Sequence, residues 1–437
     1  MQNLYNWPWV ETQVARTIEI WNGCAGQRPL GGLQYRRNDQ RQREKAYDQG
    51  LRTVERELRQ IPKTRTERIA TQGRITASFA RFSAAALDLQ PDAVRLLTDD
   101  FLPIGTKLAR WARWFDPSLS MPDVVQACRN AWTACGLQPL FGEPMELTAS
   151  IVGYSLLYPY SDNYLDREDV SAEAKLRFSR RFRERLLGEM PALQNDREAA
   201  IWALVALIEE QYPRALYPQV FECLLAIHQA QEESIAQLRS GDGRDELDVL
   251  RVSVAKGGSS VLADACVARG RLSEEESRFA FEWGVLLQLG DDLQDLQEDM
   301  QRSSVTQFSR AAALGMPLDA LVMQLITFGE QVAARMDRLP HGSRMFKDLL
   351  WMSWRSLILR AVADSHEFFS KEFLEEAEYC SPFRFHFLRA RQERLTSRRG
   401  LYATLFDAFL ETPEGEDEGL SVPGYEKTSV MGLIAAG

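Results

Sequence analysis

Along most of this chain apolar residues return every three to four positions, and the strict alternation of a half-buried strand is nearly absent. The pattern therefore predicts helices throughout. Residues 1–21 carry Trp7, Trp9 and Trp21 among polar positions, which suits a helix packed over the domain better than a lipid-surface contact. Residues 39–60 form a highly charged helix, solvated on most of its surface. Helices over 63–89 and 93–115 follow, the latter interrupted at Pro103 because proline lacks a backbone N–H. A turn at 117–122 leads to a helix over 123–135, and one long helical stretch covers 146–187. Pro191 and Asn195 break the chain over 188–197, ahead of helices at 198–211 and 218–239. Gly241-Asp242-Gly243 is a loop. Helices over 246–269 and 273–302 are separated by a Gly270-Arg271 turn. Ser273-Glu274-Glu275-Glu276 has the form of a capping box and fixes where the second of these begins. Three more helices fill 317–409, and a Gly- and Glu-rich tail from Thr412 reads as disordered.

The expected fold is all-α. It is a single large helical-bundle domain with an N-terminal helical extension. Residues 1–140 supply the extension and first bundle helices, 141–411 the core, and 412–437 the tail.

Composition narrows the function. The 437 residues, 45% hydrophobic and 26% charged, allow a sizeable core. A formal charge of −10 argues against a nucleic-acid surface, which needs a basic field. Six cysteines, at 24, 128, 135, 223, 266 and 380, show no CxxC spacing and read as small buried hydrophobes in a reducing compartment. Four histidines, at 228, 341, 366 and 386, form no ligand pattern, so a zinc site is not expected. No apolar run reaches membrane-span length and the N-terminus has no basic-then-apolar signal, so the chain reads as cytoplasmic.

Two aspartate clusters carry the chemistry. The first runs Ser161-Asp162-Asn163-Tyr164-Leu165-Asp166-Arg167-Glu168-Asp169, the second Gly290-Asp291-Asp292-Leu293-Gln294-Asp295-Leu296-Gln297-Glu298-Asp299. Helical spacing puts Asp162, Asp166 and Asp169 on one face, and Asp292, Asp295 and Asp299 on another with Asp291 at its margin. Stacked carboxylates repel, so the arrangement is costly unless cations neutralise it. Mg²⁺ takes a few carboxylates and completes its octahedron with water and phosphate oxygens. Two such faces across a cavity would trap a diphosphate and its metals; a solvated acidic helix end is the plainer alternative. Counting back from Asp292 by threes and fours reaches Gln288, Val285 and Phe281, a face acidic at one end and apolar at the other. The adjacent stripe of Leu286, Leu289, Leu293 and Leu296 reads as core. Upstream, Lys256 precedes Gly257-Gly258, a pair that costs a helix roughly 1 kcal/mol per glycine. It implies either a kink or close approach of a ligand beside Lys256, or a bare helix–helix packing site.

Taken together, Lys256-Gly257-Gly258, Ala268-Arg269-Gly270 and Gln288-Leu289-Gly290-Asp291-Asp292-Leu293-Gln294-Asp295 resemble the C-terminal half of trans-isoprenyl diphosphate synthases, where a lysine precedes a helix break. Asp162-Asn163-Tyr164-Leu165-Asp166 stands where those enzymes carry their first aspartate-rich motif. The resemblance covers residues 151–302 and extends to the class I isoprenoid (terpenoid) synthases, which are α-helical and Mg²⁺-dependent. Asn163 departs from the doubled aspartate of elongating enzymes and gives DxxxD, closer to squalene and phytoene synthases and large-terpene cyclases. Asp291, Asp295 and Asp299 share the i, i+4, i+8 spacing of the cyclase metal triad. Pro159 implies a kink just where elongating enzymes set chain length, near Leu157 and Tyr158.

The resemblance implies a terpene synthase that ionises a prenyl diphosphate, with chain elongation or squalene/phytoene-type condensation as alternatives. It implies Mg²⁺, more than one ion, on Asp162, Asp166, Asp291, Asp292, Asp295 and Asp299. Asp162, Asp166, Asp292 and Lys256 would be catalytic, and Lys256, Arg167 and Arg384 would grip the diphosphate. Phe281, Val285, Gln288 and Tyr158 would line the pocket. Trp202, Trp283, Tyr154 and Phe281 could steady a carbocation, a role that competes with core packing. A non-catalytic helical partner of such an enzyme is the reading from another class. A homodimer is left open.

Overall fold

A computed structural model gives the fold, describing residues 7–397 apart from 28–29, 32–33, 59–63, 168, 239–245 and 303. The helices are α1 (Trp7–Gly23), α2 (Arg37–Leu58), α3 (Arg65–Leu87), α4 (Pro91–Arg95), α5 (Leu102–Phe115), α6 (Met121–Leu137), α7 (Ala149–Asp166), α8 (Ala172–Leu186) and α9 (Asp196–Gln211). They continue as α10 (Pro218–Leu238), α11 (Glu246–Arg269), α12 (Glu274–Gln294), α13 (Leu296–Arg302), α14 (Gln307–Ala313) and α15 (Asp319–Arg338). The last three are α16 (Arg344–Asp364), α17 (Lys371–Tyr379) and α18 (Phe385–Ser397). Among the described residues there is no strand, and no helix is long and apolar enough to cross a membrane. The fold is all-α.

Local chemistry sets most of the boundaries. The Ser273 hydroxyl accepts from the Glu276 N–H at 3.3 Å while Glu276 accepts from the Ser273 N–H at 2.8 Å, closing the capping box that starts α12. Pro103 sits in the first turn of α5, where its missing N–H costs nothing, and the turn before it widens into a π-helix over Leu96–Phe101. The stretch 146–187 is two helices rather than one. Arg167 leaves α7 in an extended conformation, and Ser171 caps α8 by accepting from the Ala174 N–H. α7 itself runs through Pro159. The acidic segment after Gln294 is likewise divided at Asp295, although N–H to carbonyl bonds of 2.8 Å from Asp295 to Asp291 and from Asp299 to Asp295 span the division. α14, absent from the periodicity reading, is a two-turn helix begun by a Thr306–Ser309 capping box. Residues 317–397 hold α15 to α18 plus a 3₁₀ turn, His366–Phe368. The Gly241-Asp242-Gly243 loop and the tail from Thr412 lie outside the described residues.

The main core surrounds α11, which packs against α12, α10, α6, α7 and α1. Val10, Val14 and Trp21 of α1 are buried in it, so the N-terminal tryptophan helix is part of the same core. The six cysteines are free thiols and all buried, as small hydrophobes are. A second, small cluster joins Ala86, Phe383 and Phe387 with Tyr47 and Phe82, holding α2 and α3 against α18.

Candidate functional site

Between α6, α7, α10, α11 and α12 lies a cavity of about 540 Å³, far larger than two others of about 100 and 190 Å³. Asp162 and Ser161 line it from α7, Asp291 and Asp295 from α12 and its cap, Lys256 from α11, and Arg129 from α6. Leu157, Leu224, Ile227, Val261 and Leu287 supply apolar wall. The two aspartate clusters thus share one cavity with the lysine.

The face that α12 turns to the cavity is Gly284, Leu287, Gln288, Asp291 and Asp295. That stripe is offset by one residue from Phe281, Val285 and Asp292. Phe281 and Val285 are fully buried and are not among the lining residues; Phe281 packs edge-on to Trp9 at 6.1 Å. Leu286, Leu289, Leu293 and Leu296 are wholly buried, as core. Asp291 leaves 44% of its side-chain surface open, faces Arg129 at 3.5 Å and accepts from Gln294 at 3.2 Å. Burial in the wall raises its pKa, and nearby Asp295 adds to the rise while Arg129 opposes it. Asp292 turns the other way, into the α11–α12 seam, and accepts from Gln288 Nε2 at 2.8 Å and Ser253 Oγ at 2.9 Å. Burial pushes its pKa up to about 7. Asp299, on α13, does not line the cavity; partial burial and then Asp295 push it up to about 6.

In the first cluster, Asp162 faces the cavity and accepts from Ser161 Oγ at 3.2 Å. Asp166 closes α7, and its side chain lies outside the described residues. Asp169 falls beyond the helix and cannot share its face; it is exposed and paired with Arg167, whose Nε donates at 2.8 Å. Arg167 is therefore not at the cavity. Arg384 does not line the cavity either: its guanidinium grips Glu44 of α2. Tyr158 and Gln288 line the cavity, as does Tyr154, whose hydroxyl donates to the Ser260 carbonyl at 3.2 Å. Trp202 bonds the Pro191 carbonyl and Trp283 stacks on Phe279, both away from the cavity.

The glycine pair is explained by packing. A Cβ on Gly257 would stand 2.4 Å from Gln288 Cβ, one on Gly284 2.2 Å from the Gly257 carbonyl oxygen, and one on Gly258 2.4 Å from the Phe281 ring. These glycines let α11 and α12 touch backbone to backbone. α11 passes through them unbroken, so no helix break follows Lys256.

Sequence reasoning passed over Arg129, which sits on an ordinary mixed helix face with no motif around it. It also passed over His228, buried against Ser179 with its pKa lowered by burial, and Asp264. Asp264 did leave a signal: it is a lone charge inside the run Val261-Leu262-Ala263-Asp264-Ala265-Cys266-Val267.

Among the described residues, no group of three acidic, imidazole or thiol side chains lies close enough to hold a metal ion alone. Mg²⁺ needs only one or two protein carboxylates when phosphate oxygens complete its shell. Asp162 on one wall and Asp291 and Asp295 on the other are hard oxygen donors of that kind. Both α12 carboxylates are held above their ordinary range, chiefly by burial, a penalty that a cation between the walls would relieve. No protein-family model matches the chain, and no curated protein or solved structure matches it either.

Proposed function

We propose that this chain is a Mg²⁺-dependent class I terpene synthase, which ionises a prenyl diphosphate and cyclises or rearranges the resulting cation. One observation carries the reading: Asp162, Asp291, Asp295 and Lys256, drawn from three helices, meet at a cavity whose remaining wall mixes apolar side chains such as Leu157, Leu224, Ile227 and Leu287 with polar ones. Its volume, about 540 Å³, suits one small-molecule ligand. Lys256 and Arg129 are the cations available to the diphosphate oxygens, and Arg129 also holds Asp291 in place. Leu157, Leu224, Ile227 and Leu287 would pack against the hydrocarbon and shield that part of it from water. Mg²⁺, held by Asp162 and by Asp291 with Asp295, would supply the Lewis acidity that lets diphosphate leave.

The test is diphosphate release by the purified protein with Mg²⁺, given geranyl, farnesyl or geranylgeranyl diphosphate, each with and without isopentenyl diphosphate. Hydrocarbon or alcohol formed from a single substrate is the expected product. Longer diphosphates formed only with isopentenyl diphosphate would make the chain an elongating prenyltransferase instead. Replacing Asp162 and Asp291 together by alanine should lower release at least about 100-fold, the scale of losing electrostatic support for a leaving group. Absence of release from every substrate would reject the enzyme reading in favour of a helical partner protein.

A further inference from the structure

Lys256, Ser260 and Asp264 are spaced i, i+4, i+8 on α11 and all line the cavity. At 1.5 Å per residue, Asp264 lies about 12 Å along the helix from Lys256. The neighbouring helices show which end this is. Ser253, before Lys256, bonds Asp292 of the second cluster, whereas Val267, beyond Asp264, accepts from Ser150 in the first turn of α7. Tyr154, two turns before Asp162 on α7, bonds the Ser260 carbonyl. The cavity therefore runs from the aspartates at one end to Asp264 and Tyr154 at the other.

That far end is not pure hydrocarbon. Asp264 is 3% exposed, and its Oδ1 has no hydrogen-bond partner among the described residues. Burial alone raises its pKa well above the ordinary carboxylate range and so favours the protonated form, in which the carboxyl carries one O–H donor beside its acceptor oxygens. The Tyr154 hydroxyl already donates its hydrogen bond to the Ser260 carbonyl and offers only lone pairs. A plain isoprenoid tail reaching this point would leave the Asp264 carboxyl buried with its Oδ1 unsatisfied, which is unfavourable in either protonation state.

We propose that Asp264 recognises the far end of the ligand, and that the cavity takes a prenyl diphosphate whose terminal isoprene unit carries a hydroxyl or carbonyl oxygen. This rests on the reading above, in which the diphosphate lies between the aspartates. Asp264 is then a specificity-determining group: its carboxyl hydrogen-bonds the terminal oxygen and sets the ligand's depth, while the reacting end stays at Asp162 and Asp291.

Isothermal titration of the full chain with Mg²⁺ tests this with two pairs of probes. One pair is a non-ionising farnesyl thiolodiphosphate and its ω-hydroxylated counterpart; the other is farnesol and its ω-hydroxylated diol. The hydroxyl should tighten binding on the order of 10-fold within a pair, the scale of one well-made buried hydrogen bond. Asp264→Leu should erase that preference, and Asp264→Asn, which keeps a donor and an acceptor, should retain it. Equal affinities within both pairs, as when a trapped water satisfies Asp264, overturn the inference, as does a preference that survives in Asp264→Leu. Diphosphates that bind without preference overturn the role of Asp264 and leave the diphosphate reading standing. An Asp264-dependent preference for the diol with no binding of either diphosphate does the reverse. If none of the four probes binds, both fall.

Discussion

Asp291 and Asp292 are adjacent and chemically identical, yet a helix turns neighbours about 100° apart, and here that separates a cavity from a core. Asp291 opens to the cavity, while Asp292 is buried against Ser253 and Gln288. Residue spacing predicts Asp292 on the working face and Asp291 at its margin. Spacing alone defines a stripe, but not which of two adjacent stripes faces a neighbour; that depends on where α11 lies. The burial has a measurable consequence. A carboxyl whose folded pKa of about 7 exceeds its unfolded value binds its proton more tightly when native. Its stabilising effect is complete below the unfolded value and is lost as pH rises through the folded one, at about 1.4 kcal/mol per pH unit at most. Asp292→Asn should remove that loss. Ser253 can reverse its hydroxyl to accept from the new amide while Gln288 still donates to the remaining oxygen. In metal-free buffer near about pH 8, the variant should melt a few degrees above the parent, with the two converging towards acid pH. A variant that melts lower at the alkaline end would show that the carboxylate is supported there rather than strained.

Helices such as α9, α10 and α11 were legible in the sequence nearly to their ends, because periodicity and turn residues agree there. The break at 167–171 was not, since Ser171 is one serine among many until its hydroxyl is seen to cap α8. The glycine pair was legible as a kink, a ligand approach or a helix–helix packing site, but nothing local chose the last, because its counterpart, Gly284, is on the next helix. The geometry makes a definite claim about it. Gly284→Ala would drive a methyl onto the Gly257 carbonyl, a backbone atom that cannot rotate away. Alanine's better helix propensity, about 1 kcal/mol, is outweighed by overpacking of about 1–3 kcal/mol or more when α11 and α12 must part. Gly73→Ala in α3 is the control, with nothing within 4 Å of the added methyl and propensity alone in play. Urea unfolding should show Gly284→Ala less stable than the parent and Gly73→Ala slightly more. Equal midpoints for the two variants would mean that the helices are not in backbone contact.

At the scale of the whole molecule, α2 packs against the segment from α17 to α18, some 340 residues on, and Arg384 belongs to that closure rather than to the cavity lining. Its guanidinium and backbone N–H both reach Glu44, which is 5% exposed. Gln40 bonds the carbonyls of Glu378 and Ser381, and Arg391 pairs with Asp48 at 2.7 Å, so α2 holds the segment from α17 to α18 along its length. An arginine-rich run looks like a phosphate grip in sequence because its partners are some 340 residues away. Arg384→Ala would strand the Glu44 carboxylate in a buried site, a loss of about 3 kcal/mol for a broken buried pair. Because α2, α3 and α18 share their own small cluster, that loss should stay local. Amide exchange in α2 and α18 should then quicken on the order of 100-fold, with α11 and α12 unaffected and diphosphate release retained. A drop in release with unchanged exchange would return Arg384 to the diphosphate site, whereas faster exchange throughout would mean that this closure holds the entire bundle together.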